Sequence, residues 1–512
     1  MTSRMRYTVP ILALLVAVGG FAAAGGAAPP ARGELRIGMQ YDYGTLDPAA
    51  ITSVTDKQTS TNLFEGLVRY RLGTVSIEPD LAQKWTSTPD GKTWTFTLRR
   101  GVRFQKGYGE LTAGDVKFSL ERVLDPAVRS PYATLMRELD HVDAVDASTV
   151  RVVLKAPDPA FLDKLANTYT SIVSERAVRE KGARFGHDPI GTGPYQFDHW
   201  SPQQETVLAA FDDYWGGRPA LDRVVYVPIP DATTMYNAFD AGNVDLIQIT
   251  DPDKLRKYRQ DAHLSISAVP GLITRFVGMN RKYKPFDDKR VRTAVLHAVN
   301  KDEIVKGVFG GISTPARCIL APGVEDALRQ CTQYAYDPAA SKKLLAEAGM
   351  AQGFKTTFYV PNIDRFTKPA VVVQENLRAV GIDAEIQVME AQSFLAKLAS
   401  SEGMPMFTLS RGQDATPDRV LFNWFSTKGI PRDNWANISI PEVDQWLDAA
   451  VTTTDAAKRR ELFANVQRRI ADEAYYLFLD HENMIYVSHG WVHGFQSDPQ
   501  RSIRLDHATV SR

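Results

Sequence analysis

His489 and His493 stand four residues apart around Gly490, the one histidine pair whose spacing suits two ligands of a metal ion. The surrounding residues read as loop, so exposed loop histidines are expected there and no metal site is assigned. Gly191–Phe197, GTGPYQF, has the glycine spacing of a phosphate-cradling loop. It lacks the lysine and the preceding strand of such a loop, and turn glycines feeding a strand are the expectation. The only two cysteines, Cys318 and Cys331, end the stretch CILAPGVEDALRQC. In an exported protein they are expected to form a disulfide, and closing a loop of this size stabilises a fold by about 3 kcal/mol.

Catalytic chemistry has no such foothold. The chain contains no G-x-S-x-G, no H-E-x-x-H and no G-x-x-x-x-G-K-[ST], the signatures of serine hydrolases, zinc proteases and P-loop nucleotide hydrolases. No enzyme activity and no cofactor are expected. With 60 basic and 60 acidic residues the formal charge is zero. Nothing in that balance draws nucleic acid or an anionic membrane to the whole surface.

The elements that must position a site are those of a mixed α/β protein, long enough at 512 residues for more than one core. From Thr93 to Leu98 threonine alternates with large apolar residues, the period-2 pattern of a half-buried strand. Asp90-Gly91 supplies a tight turn before it. Asp337-Pro338 followed by AASKKLLAEAG predicts a capped helix ending at Gly349. VVVQENLRAVG running into IDAEIQV predicts a helix leading through Gly381 to a strand, the crossover of an α/β lobe. Val291, Ala294, Val295 and Ala298 mark another helix face, as do Leu462, Phe463, Val466 and Ile470. At the N-terminus, Arg4 and Arg6 precede an apolar run from Val9 to Val18 and then small residues, the order of a secretory signal. Residues 1–28 are taken as that signal, with cleavage placed after Ala24. No cysteine lies near it, so no lipid anchor on an N-terminal cysteine is expected.

Extended on both sides, the strand motif reads PDLAQKWTSTPDGKTWTFTLRRGVRFQKGYGELTAGDVKFSLERVL. It resembles the signature of the extracellular solute-binding proteins, family 5, that serve peptide- and nickel-type ABC importers. Further blocks follow in the family's order: GTGPYQF, YWGGRPALDRVVYVPIPDATTMYNAFDAGNVDLI, MNRKYKPFDDKRVRTAVLHAVNKDEI and YDPAASKKLLAEAG. The resemblance implies a two-lobed α/β fold of the type II periplasmic-binding-protein kind, with an additional small α/β domain. It places lobe I in 29–50, 186–270 and 482–512, the additional domain in 51–185, and lobe II in 271–481. The function implied is capture of a peptide or peptide-like solute between closing lobes and delivery to an ABC import permease. An oligosaccharide, an opine-like conjugate or a metal chelate is the alternative ligand, and a sensory module without transport the alternative role. An exported monomer is expected, periplasmic or else secreted or tethered at the cell surface.

The resemblance also nominates ligand contacts. In peptide-binding relatives an aspartate in a W-x-A-D-Y-like stretch pairs with the peptide ammonium, and SRGQDATPD puts Asp414 on it. Arg411, Gln413 and Ala415 replace the tryptophan, alanine and tyrosine. The Arg411 guanidinium suits either a ligand carboxylate or Asp414 itself. Tyr41 and Tyr43 in YDYG, and Arg275 and Phe276 in ITRFVGMN, are the remaining candidates, offering rings and charge at strand ends.

Overall fold

The protein is described by a computed structural model covering residues 33–512. The signal assigned to 1–28 lies outside these residues. The architecture is set by two long strands, Leu264–Met279 and Tyr476–His489, which pair with each other antiparallel from end to end. One large sheet is built outward from them. On one side lie Met406–Gly412, Phe354–Pro361 and Ile382–Met389; on the other come Leu246–Gln248, Glu34–Met39, Arg223–Pro228, Glu205–Ala210 and Tyr195–Ser201. The same two strands therefore run through two α/β bodies. The pairing is irregular where it passes between them: Pro270 faces Asn483 but Thr274 faces His481, so the first strand carries extra residues at Gly271–Ile273. Gly271 sits at this bulge, where a Cβ would lie 2.7 Å from the carbonyl oxygen of Glu482. Only glycine lets the two backbones approach so closely.

The alternating stretch Thr93–Leu98 is an inner strand of a separate four-stranded antiparallel sheet, between Ala82–Ser87 and Thr149–Leu154, with Leu139–Asp146 outermost. Phe96 and Leu98 are buried and the threonines half-buried, as the period-2 pattern requires. Their apolar face joins one uninterrupted core with Leu35, Ile37, Leu63, Tyr195 and Leu505. The additional sheet thus has no core of its own. Beyond the crossing, separate clusters form around Val277, Val295, Phe358 and Leu377, and around Phe276, Trp424, Phe463 and Tyr476.

The helical expectations are met in detail. Asp337 accepts from the backbone N–H groups of Ala339 and Ala340 at the head of Pro338–Glu347, and Gly349 follows at φ +80°. Helix Asp364–Arg378 leads through Gly381 to Ile382–Met389, which pairs parallel to Phe354–Pro361. GTGPYQF does enter strand Tyr195–Ser201, and its glycines are explained by close approach. A Cβ on Gly191 or Gly193 would strike the Leu63 backbone at 2.1 or 2.7 Å. Gln105 fixes that contact, its Nε2 donating to the carbonyls of Leu63, Gly193 and Tyr195.

Phe276 is 1% exposed and packed edge-on against Tyr476 and Phe478, whereas Tyr41 is 58% exposed. Phe276→Ala is therefore expected to lower the unfolding free energy by about 3–5 kcal/mol, and Tyr41→Ala to change it by less than about 0.5 kcal/mol. Urea titration of both variants checks the pair; equal losses would contradict this placement.

Candidate functional site

Asp414 lies in the loop between strand Met406–Gly412 and helix Asp418–Phe425. Its neighbours hold that loop to the crossing strand. The Gln413 backbone N–H donates to the Leu272 carbonyl at 2.6 Å, and the Glu325 N–H donates to the Ala415 carbonyl at 2.7 Å. Gln413 itself is buried. Its Nε2 donates to Thr274 Oγ1 and the Ile319 carbonyl, and its Oε1 accepts from the Ala321 N–H. Both ends of its side-chain amide are used inside the protein, which corrects its nomination as a ligand contact. Ile319 and Ala321 lie just after Cys318, which is joined in a disulfide to Cys331 with a Cα–Cα distance of 5.2 Å.

The Asp414 carboxylate is half-exposed and is gripped by a residue the sequence did not single out. Arg419, on the first turn of the following helix, donates from Nε and Nη2 to Oδ2 and Oδ1 at 2.5 and 2.7 Å, a fork-to-fork ion pair. Arg411 is turned elsewhere. It pairs with Asp433 and lies between Trp435 and Trp424, 4.5 and 5.3 Å from the ring centroids. The pairing of Arg411 with Asp414 is thus corrected: two rings and a carboxylate of its own hold this guanidinium, and burial lowers its pKa.

Three other candidates are also placed inside the fold. Arg275 is 3% exposed, its Nη1 donating to Asp480 at 3.2 and 3.3 Å and its guanidinium stacking on Phe309. Phe276 is core, as described above. Tyr43 is buried between His187 and Trp200, and burial drives its hydroxyl pKa well upward. Each is held by partners inside the fold: Arg275 by Asp480 and Phe309, Phe276 and Tyr43 by neighbouring rings. Its neighbour Asp42 accepts from Trp200 Nε1 and the Gln203 N–H, pinning the YDYG segment. His489 is not in a loop but ends a crossing strand, stacked between Phe239 and Trp491, with Nε2 on the Phe239 carbonyl; His493 pairs with Ser511. Among the described residues no cluster of three or more metal-ligating side chains occurs.

Facing the Asp414 loop are residues from the opposite side of the crossing. Tyr132 and Tyr169 stack at 4.3 Å with planes 13° apart, and both lie in the field of Arg419. Lys57, on helix Val54–Ser60, lies in the fields of Asp414 and Asp498, and burial lowers its pKa. Behind it is a cavity of about 80 Å³ lined in part by Glu65, Arg69, Tyr70, Asp80 and Asp498. Asp163 accepts from Tyr70 at 2.5 Å with Thr416 beside it, and it faces Glu325 and Asp418. Sequence reasoning missed Lys57, Tyr132, Asp163, Tyr169 and Arg419, since only the folded chain brings these separated segments together.

Burial, reinforced by the nearby acids, raises the Asp163 carboxyl from its ordinary 3.8 to about 7. The folded state therefore holds a proton that the unfolded state releases, and stability falls as pH rises through that window. Asp163→Asn should match the wild type near pH 4 and exceed it at pH 8 by about 1–3 kcal/mol. Urea midpoints across that range test this, and a variant less stable at pH 8 would contradict it.

Comparisons with known proteins can be set beside this geometry. The family described as bacterial extracellular solute-binding proteins, family 5 Middle, matches residues 76–432. The chain is 30% identical to the dipeptide-binding protein of Escherichia coli (strain K12), over 91% of this chain and 92% of that one. It is 29% identical to the glutathione-binding protein GsiB of Salmonella choleraesuis (strain SC-B67), covering 93% and 94%. The solved structure of HbpA2 from Haemophilus parasuis superposes with a TM-score of 0.86 at 25% identity, covering 94% of this chain and all of that one. Among the described residues no helix is long and apolar enough to cross a membrane. With a profile match over more than half its length, and two α/β bodies joined by a shared pair of strands, the chain belongs to the family 5 extracellular solute-binding proteins.

Proposed function

We propose that this protein captures a peptide or peptide-like solute between its two lobes and presents it to an ABC import permease. The observation that carries this is the arrangement at the crossing. The Asp414–Arg419 loop on one side faces Lys57 and the stacked Tyr132 and Tyr169 on the other, and all are joined through one pair of hydrogen-bonded strands. A solute held there loses water on both sides. Its charged and hydrogen-bonding groups then interact in a lower dielectric, and the lobes stay closed in proportion to what the closed form contacts better. Similarity to a dipeptide-binding and a glutathione-binding protein favours a peptide-like solute.

The lobes are assigned as 29–50, 186–270 and 482–512 for the first and 271–481 for the second, with 51–185 as the additional domain forming the tyrosine wall. In this reading the protein acts as an exported monomer, periplasmic or else secreted or tethered at the cell surface, and no catalytic step is assigned to it.

Native mass spectrometry of the protein taken from its own host's envelope tests the proposal. Bound masses that differ by amino-acid residue units are expected. A single mass that does not fragment into amino-acid residues would replace the peptide assignment with a conjugate, sugar or chelate.

A further inference from the structure

Not every cation of the cleft has a side-chain partner. Both oxygens of Asp414 already accept from the Arg419 guanidinium, so a ligand ammonium arriving there would find only the remaining lone pairs and a cation beside them. Across the cleft, Lys57 makes no side-chain hydrogen bond or ion pair among the described residues, nor does Arg501, which lies in the loop facing it. Asp498, the other carboxylate near Lys57, is buried and already accepts from the backbone N–H of Gln500 at 2.7 Å. Asp433, which also lies in the field of Arg419, is taken up by Arg411. The Lys57 ammonium and Arg419 Nη1 are thus left without an acceptor among the described residues.

From this geometry we infer that the cleft receives a carboxylate of the enclosed solute between the Lys57 ammonium and the free edge of the Arg419 guanidinium, while Asp414 is a positioning residue that holds Arg419 in place. The assignment rests on the peptide proposal above and deepens it: the end recognised at this loop is anionic. The physical reason is desolvation. A partly buried ammonium that no oxygen contacts is costly, and a ligand carboxylate supplies the missing acceptor at the moment the lobes close. The stacked tyrosines then cover the uncharged part of the solute beside the guanidinium. A free α-ammonium is not required at Asp414, so solutes blocked at the amino end are admitted.

Calorimetric titration of the full chain at pH 7 with alanyl-alanine, N-acetyl-alanyl-alanine and alanyl-alanine amide separates the possibilities. Acetylation is expected to change Kd by less than about threefold, and amidation to weaken binding by tenfold or more. Lys57→Gln and Arg419→Gln should each weaken binding of the two free acids by tenfold or more, with Arg419→Lys retaining part of it. Should Arg419→Gln lose its cooperative melt, the lysine variant carries the test. Equal binding of the amide and the acid overturns the assignment. So does alanyl-alanine binding that survives in Arg419→Gln but is lost on acetylation and in Asp414→Asn, a pattern that would leave the peptide proposal standing with an ammonium at Asp414. Binding of none of the three removes the peptide proposal, and this assignment falls with it.

Discussion

The backbone ladder between Leu264–Met279 and Tyr476–His489 is the constraint on which the rest of the structure depends. Most buried main-chain N–H and C=O groups must be paired, and here the pairing is continuous from one α/β body into the next. The bodies are therefore not beads on a flexible thread. Relative motion has to be absorbed where the ladder is already irregular, at the bulge opposite Glu482. Directly beyond that bulge the structure is stiffened by buried polar contacts: Arg275 with Asp480, and Thr274 Oγ1 with His481 Nδ1 at 2.9 Å. Burial lowers the His481 pKa to about 4, so the imidazole is neutral near pH 7, and burial raises that of Asp480 to about 6. Gln413 bonds to Thr274 as well, so the loop that carries Asp414 is fixed to the same rigid patch.

Much of this was legible in the chain. Thr93–Leu98, the Asp337 cap and the Gly381 crossover are each determined by local chemistry that does not wait for the rest of the fold, and each appears where its pattern placed it. The family was legible for a related reason, since blocks that fix turns and cores recur in order. The site was less so. Asp414 was nominated from its position in a motif, but its ion-pair partner Arg419 could not be, because a guanidinium five residues on can point anywhere until the helix start fixes it. Arg275 and Phe276 misled because charge and aromaticity at a strand end look alike whether the side chain faces a ligand or a core. Lys57, Tyr132 and Tyr169 had no signal at all, lying in segments that meet only through tertiary packing.

The cavity behind Lys57 has a wall with unusual electrostatics. Glu65 accepts from Trp215 Nε1 and the Tyr214 hydroxyl, yet burial and the neighbouring Asp80 hold its carboxyl up at about 8. Asp80 itself is raised to about 6, with Arg69 and Arg504 opposing the shift. Such groups cost folding energy, and buried networks of this kind persist where they fix one arrangement of the chain. Here they lie under the cavity next to Lys57, and they join segments 57–80, 166–171 and 498–506 into a single surface.

The large sheet has a consequence for how the chain comes to be finished. Tyr476–His489 sits at its centre, between Leu264–Met279 and Leu246–Gln248, yet it is among the last strands to be synthesised. Until it emerges, the strands that will flank it have open edges and the first body lacks the residues from 482 onward that complete its core, such as Ile503 and Leu505. The ladder that joins the two bodies therefore cannot form until nearly all of the chain has been made, which keeps strand edges unpaired through most of synthesis.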